Sequence, residues 1–333
     1  MTENKIKTKI LKSTSVDPWY NLALEEYLLK HVARNQVILY LWQNDNTVVI
    51  GRNQNAWKEC RFKKLENEGG KLARRLSGGG AVYHDLGNLN FTFVADKKLY
   101  DEKKQTQVII DAVAKADIEA EFSGRNDIVV NGKKISGNAS YTKRNSALHH
   151  GTLLVDTDFE KLVTYLQVSK EKIISKGIES VRSRVVNLAS INPDLTINKM
   201  VEYFKESFVE HYGGSMESME VSPEKFEIDQ LYERYSSWDW RFGHTPNFDI
   251  TFDNRFSWGE IEVGFNLKNG KILSATIYSD AMNYDVIDKL ADQLKNCPFQ
   301  LKYILEQIDE IKAEGIEANM IQDIRDWIAT KEI

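Results

Sequence analysis

A chain of 333 residues, 42% apolar and 28% charged, has the length for one large domain plus a small one and the composition of a soluble globular protein. Its net charge of −5 argues against a dedicated nucleic-acid binder, which needs a basic face, and no apolar run approaches the ~20 residues of a membrane span. The first dozen residues alternate lysine with isoleucine and lack a secretory core. The two cysteines, Cys60 and Cys297, offer neither a disulfide framework nor a zinc spacing, so the expectation is a cytoplasmic protein with no nucleic-acid and no membrane partner.

Asp17-Pro18 predicts a helix start, with an N-capping aspartate and proline at the first helical position, and the helix runs on through Leu22, Ala23, Tyr27 and Leu28. Residues 36–42 and 47–50 read as strands around the turn Asn44-Asp45-Asn46. A strand over 72–75 enters the run Ser77-Gly78-Gly79-Gly80, and strands over 81–84 and 90–94 follow. Residues 104–117 predict a helix with Ile109, Ile110 and Val113 inward. Asn131-Gly132 between Ile128-Val129-Val130 and Lys133-Lys134-Ile135 predicts a hairpin with a two-residue type I′ turn. Residues 147–156 form a strand with His149 and His150 on opposite faces. A helix over 196–212 carries the stripe Met200, Phe204, Phe208 and Tyr212 and closes at Gly213-Gly214. A connector follows, then a hairpin over 257–278 turning at Asn269-Gly270, and two or three helices ending at Ile328. We place a boundary within 244–250, dividing residues 1–245 from 246–333. The larger part lacks a βαβ alternation, which predicts α+β with a mixed or antiparallel sheet.

Arg74, Arg75, Ser77 and three consecutive glycines fall within seven residues. Glycine lets backbone approach a ligand, successive amides form a concave anion site, and arginine recognises phosphate or carboxylate with two prongs. Neither a P-loop nor a G-x-G-x-x-G turn occurs, so a nucleotide bound here is bound by other means. Gly124-Arg125-Asn126-Asp127, Lys134-Ile135-Ser136-Gly137 and His149-His150-Gly151-Thr152 add cations, close-approach glycines and one acid able to hold Mg2+. The set suits joining a carboxylate to the α-phosphate of ATP, where fixed positive charge holds two anions in contact. Singly, each feature has a plainer reading. The glycine run is a flexible turn, Lys134 a solvated lysine, Asp127 a cap, and an inward histidine a satisfied core residue. The Met200–Phe208 stripe is core, and Trp238 and Trp240 pack a domain edge. Their co-occurrence points to a site.

These residues resemble the lipoate–protein ligase family. The resemblance rests on Asp17-Pro18-Trp19-Tyr20-Asn21-Leu22-Ala23, Val48 to Asn55, Trp57-Lys58-Glu59-Cys60, the block from Arg74 to Asn88, and the three blocks named above. It continues through Lys176-Gly177-Ile178, Ser180 to Val185 and Ser237-Trp238-Asp239-Trp240, and so covers nearly the whole chain. It implies a biotin/lipoate-ligase-type catalytic domain, with a mixed sheet and flanking helices, plus a small α+β accessory domain. It implies ATP-dependent activation of free lipoic acid to lipoyl-AMP. Transfer would follow to a lysine ε-amine on lipoyl domains of 2-oxoacid dehydrogenase E2 subunits or on glycine-cleavage H protein. The family pattern puts the nucleotide on Arg75, Gly80, Ala81, Val82, Tyr83 and Lys134, with Lys134 catalytic between lipoate and the α-phosphate. It adds Ser77 and His150 to the lipoate pocket, makes Asp127 the Mg2+ candidate, and likens residues 176–184 to a segment that closes over the adenylate. Strand alternation lets only one of Lys133 and Lys134 face the pocket, and the following Ile-Ser-Gly selects Lys134. Two alternatives stay open. One is an octanoyl or lipoyl acyltransferase, which relies on a nucleophilic cysteine. The other is a non-catalytic module that binds lipoyl-domain proteins.

Overall fold

Runs of β-branched and aromatic residues set the strands of the first part of the chain. They are β1 (Lys7–Ser13), β2 (Gln36–Trp42), β3 (Thr47–Ile50), β4 (Lys71–Arg74), β5 (Val82–His84) and β6 (Asn88–Asp96). After these come β7 (Glu121–Ser123), β8 (Asp127–Val130), β9 (Lys133–Thr142), β10 (Ser146–Leu154) and β11 (Ser218–Val221). This computed structural model describes residues 6–123, 126–166, 184–242, 249–268 and 270–331, without the side chains of residues 57, 58 and 224. Eight strands form one sheet in the order β11-β1-β2-β6-β10-β9-β8-β7, and β4-β3-β5 form a smaller one. β1 pairs in parallel with β11 and β2, whereas β2 through to β7 pair antiparallel. The result is the mixed α+β architecture expected.

Most elements fall where the sequence places them, and the differences have local causes. β2 and β3 both form, yet they join different sheets across Asn44 to Asn46 instead of pairing with each other. The helix Glu102–Ala114 stops short of residue 117, where Asp117 takes a left-handed φ of 57°. It buries Val108 as well as Ile109 and Val113, while Ile110 is only half-buried. At the hairpin, Asn131 and Gly132 both have positive φ, as a type I′ turn requires. β1, β7, β11 and β12 have no counterpart in the sequence reading. β1 has three lysines around the single apolar pair Ile10-Leu11, and β7 is three exposed residues at a sheet edge.

Helices cover both faces of the large sheet. On one side Pro18–His31 lays Tyr20, Leu24 and Leu28 against Tyr40 and Trp42 of β2. Its cap is as predicted: Asp17 Oδ1 accepts from the Trp19 amide at 2.9 Å. On the other side Glu102–Ala114 and Ile197–Tyr212 pack against Phe91 and Phe93 of β6. Residues 250–331 form their own core around Ile261, Phe265, Ile287, Ile304 and Ile324. They comprise β12 (Ile250–Phe256), β13 (Gly259–Lys268) and β14 (Lys271–Ser279), then the helices Tyr284–Gln293, Leu301–Asp309 and Ile316–Ala329. Much of the boundary placed at 244–250, and Asn269 of the predicted turn, lie outside the described residues. Among the described residues no helix is long and apolar enough to cross a membrane.

Phe204 is fully buried and stacks on Phe91 with ring centroids 5.4 Å apart. Phe204→Ala is expected to lower the unfolding free energy by about 3–5 kcal/mol, through lost burial and the cavity left behind. Urea denaturation of the two proteins measures this.

Candidate active site

β4 delivers two adjacent arginines to the glycine run, and the fold buries both. Arg75 donates from Nε to Ser77 Oγ (3.1 Å) and Gly78 O (3.2 Å), from Nη1 to Val49 O (3.2 Å), and from Nη2 to Gly78 O (2.6 Å) and Gly80 O (2.8 Å). Its guanidinium thus shapes the loop from inside. Gly79 at the apex takes a φ of 88°, open to glycine without strain. Arg74 donates to Gly51 O, Arg52 O and Gln54 O, and to Trp240 O and Arg241 O, tying the strand to two other segments. Burial pulls both arginines down to about 10, so both stay charged near neutrality.

β9 carries the lysine doublet, and a bulge decides which member turns inward. Ile128 of β8 opposes Ser136 while Val129 opposes Lys134, leaving Ile135 as an extra residue on β9. Ile135 enters the core against the far face of the sheet. Lys134 therefore shares the near face with Gly137 and Ala139, and Lys133 is exposed. The start of β9 is pinned by Lys134 N to Arg184 O (2.7 Å) and Val186 N to Lys134 O (3.0 Å). Lys134 Nζ lies so close over Gly137 that a Cβ there would stand 2.8 Å away. The same ammonium pairs with Asp127 Oδ1 at 2.8 Å, both side chains about two-fifths exposed.

These parts meet in a cavity of about 250 Å³. Lys134, Asp127, Asn126 and Gly137 line one end, and Leu22, Trp42, Val49 and His84 line an apolar wall. Between them stand Arg75, Gly79 to Val82, His150, Gly151 and Thr152. Asp280 and Met282 reach in from the last part of the chain, where Ala281 O accepts from Gly79 N at 3.1 Å. Of the residues singled out from sequence, Arg75, Gly80, Ala81, Val82, Asp127, Lys134 and His150 come together here. Tyr83 points to the opposite side of β5, packs on Tyr165 and donates to Asn46 Oδ1. Ser77 lies just behind the wall, wholly buried. Gly124, Arg125 and nearly all of 176–184 lie outside the described residues. Among the described residues no three His, Cys, Asp or Glu side chains gather as a metal site, and the cavity lining includes two carboxylates, Asp127 and Asp280.

Behind the cavity runs a buried polar chain that the sequence reading missed. Ser77 Oγ meets His150 Nε2 at 2.7 Å, and His150 Nδ1 meets Glu25 Oε1 at 2.8 Å. That same oxygen accepts from Thr92 Oγ1 (2.7 Å), which in turn accepts from Trp42 Nε1 (3.1 Å). The order resembles a nucleophilic triad, but Ser77 is fully buried and also held by Arg75 Nε, so its hydroxyl positions the loop. Glu25 lies, with the buried Asn21 and Glu26, on a helix that is buried on nearly all sides, so a carboxylate there marks a polar contact within the core. His149 faces the other way, between Gln105 and Asn138.

A mixed sheet here sets a glycine loop and a lysine over an apolar slot, the architecture of a lipoate-ligase class of catalytic domain. A family model described as lipoyl protein ligase A/B catalytic domain matches residues 17–209, and one described as bacterial lipoate protein ligase C-terminus matches residues 245–328. The chain belongs to the lipoyl protein ligase A/B family. It is 39% identical to a lipoate-protein ligase A of Blochmanniella floridana, over 98% of this chain and 99% of that one. It is similar to P. falciparum LipL1 solved in complex with lipoate (TM-score 0.86, 30% identity, 97% of this chain and 100% of that one). It is also similar to a lipoate-protein ligase A solved with ATP (TM-score 0.60, 26% identity, 71% of this chain and 99% of that one).

Two buried histidines make a pH dependence. Burial, with Arg75 and His150 nearby, holds His84 down at about 3, and burial with His150 does the same to His149. Both rings stay neutral in the folded chain and take up protons on unfolding. Between about pH 3 and 6.5 the unfolded state therefore binds more protons, and stability falls as pH drops, by up to ~1.4 kcal/mol per pH unit for each ring. Urea midpoints at pH 7.5, 6.0 and 4.5 are expected to decline in that order. A midpoint that holds steady down to pH 4.5 contradicts this account.

Proposed function

We propose that the chain activates free lipoic acid with ATP to lipoyl-AMP and then acylates a lysine ε-amine on a lipoyl domain. The carrying observation is that Lys134 Nζ, lying over Gly137, shares one cavity with the Arg75-held glycine loop and an apolar wall. The lipoate-bound and ATP-bound relatives support both substrates. Acceptor domains of 2-oxoacid dehydrogenase E2 subunits and glycine-cleavage H protein belong to the same reading. So does the division into a catalytic part, 1–245, and an accessory part, 246–333.

In this reading the fatty chain lies along Leu22, Trp42 and Val49, contributing about 0.8 kcal/mol per buried CH2. The glycine loop and Arg75 hold the nucleotide, with Gly80 to Tyr83 supplying backbone at the phosphates and adenosine. Lys134 neutralises carboxylate and α-phosphate together, so a carboxylate oxygen attacks α-phosphorus and pyrophosphate leaves. The lysine then polarises the anhydride carbonyl, the acceptor amine attacks it, and AMP leaves. The Lys134–Asp127 pair is partly exposed and worth at most ~1 kcal/mol, so arriving anions displace it readily. A Mg2+ ion brought on the nucleotide fits this acid, since Mg2+ takes one or two carboxylates plus phosphates and water. It would supply charge neutralisation at the departing pyrophosphate. Ser77 and His150 hold the pocket wall in place, and residues 176–184 are proposed to close over the adenylate.

Lipoate-dependent exchange of pyrophosphate into ATP tests the first step. Wild type is expected to exchange, and Lys134→Ala to lose at least about a hundredfold with its circular dichroism unchanged. Exchange near the wild-type rate in that variant removes the catalytic assignment. A thioester route is disfavoured because both cysteines are buried and neither lines the cavity, and burial pushes the Cys60 thiol up to about 12. Cys60→Ser is expected to keep acyl transfer within about threefold, measured by mass spectrometry of a modified lipoyl domain; loss of transfer there favours the acyltransferase reading.

A further inference from the structure

Two polar side chains, His84 and Asn90, stand by Trp42 in the cavity wall, each with a buried nitrogen unpaired among the described residues. His84 sits on β5, buried, with its ring 6.1 Å from that of Trp42 and edge-on to it. Its Nδ1 is 3.1 Å from Asn44 Nδ2, and its Nε2 is buried without a hydrogen-bond partner among the described residues. Which nitrogen carries the proton is set two hydrogen bonds away, at Asn21. Asn21 Nδ2 reaches the backbone oxygens of Ser15 (3.0 Å) and Gln43 (2.8 Å), and Asn21 Oδ1 accepts from Tyr40 and Ser13 hydroxyls, which fixes that amide. The third contact of Asn21 Nδ2, at 3.0 Å, must then be the oxygen of Asn44. That leaves the Asn44 nitrogen to donate to His84 Nδ1. An Nδ1 that accepts puts the proton of a neutral imidazole on Nε2. His84, whose side chain lines the cavity, therefore carries a rigid, desolvated Nε2–H donor just beneath the cavity surface.

The sheet register places this donor far from the lysine. Gly137, Thr152, Asn90 and Trp42 oppose one another across β9, β10, β6 and β2. Three strand spacings, about 14 Å, separate Gly137 under Lys134 from Trp42 beside His84. An acid whose carboxylate meets Lys134 thus brings its far end, not its headgroup, towards His84. A buried donor left unmade costs free energy, so the site favours a chain that carries an acceptor there over one ending in methyl.

On the ligase reading above, we propose that His84 Nε2–H donates to a dithiolane sulfur of the acyl substrate and makes this pocket select lipoate over octanoate. The test is the ratio of kcat/KM for lipoate to that for octanoate, by pyrophosphate exchange, in wild type, His84→Phe and His84→Gln. Phenylalanine keeps a ring against Trp42 and removes the donor; glutamine can accept from Asn44 and donate from Nε2. The ratio is expected to fall about tenfold in His84→Phe and to stay within about threefold of wild type in His84→Gln. A ratio that is unchanged in His84→Phe, with both acids affected alike, overturns the role of His84 while the ligase reading stands. Failure of wild type to activate either acid overturns the ligase reading and this inference with it.

Discussion

A buried arginine that bonds to the backbone of its own loop is the constraint on which the site rests. Arg75 is enclosed, and its donors go to carbonyl oxygens of Val49, Gly78 and Gly80 and to Ser77 Oγ. A run of three glycines has maximal conformational freedom, and left alone it would hold no shape. Charge-assisted bonds in a low-dielectric surrounding remove that freedom, and a buried cation without these acceptors would be strongly destabilising. The loop is ordered by the guanidinium, and the guanidinium is tolerated because of the loop.

The rest of the polar machinery extends the same bargain inward. Glu25, from the middle of the first helix, orients His150, which orients Ser77, which meets Arg75. Thr92 and Trp42 anchor the other end of that chain in the sheet. A second chain, Tyr40–Asn21–Asn44–His84, starts from the same helix and strand and ends at the cavity wall. Each link in such a network helps fix one arrangement of the core, because breaking it leaves a buried group unpaired. Helix Pro18–His31 is thus more than a cover for the sheet: its polar residues set the geometry of the pocket.

The last part of the chain joins the site through backbone as much as side chains. Gly78 is so close to Ala281 and Met282 that a Cβ there would clash with their carbonyl groups. Ser279 N donates to Asn53 O at 2.7 Å, and Tyr284 stacks on Tyr141 with centroids 4.8 Å apart. Asp280 and Met282 complete the cavity wall. The pocket is thus built partly from a segment that has its own core. On the function proposed above, that construction would suit a site that admits a nucleotide and later exposes an anhydride to an acceptor.

What the sequence determined by itself was local. The Asp17-Pro18 helix start, the Asn-Gly turn, the Met200–Tyr212 stripe and the glycine loop are each set by neighbours a few residues apart, so composition and spacing expose them. The motif residues Arg75, Gly80, Ala81, Val82, Asp127, Lys134 and His150 were legible for the same reason, and the fold brings them to one cavity. Tertiary structure alone decided the rest. Strict alternation counted back from Gly137 would turn Lys133 inward; the extra Ile135, accommodated because the far-side core takes it, turns Lys134 inward instead. Tyr83 left the pocket because its neighbours Val82 and His84 occupy that face. Glu25, Asn44 and His84 acquired their meaning only when residues dozens apart in the chain were buried together, where a hydrogen bond fixes a proton and an unmatched donor acquires a cost.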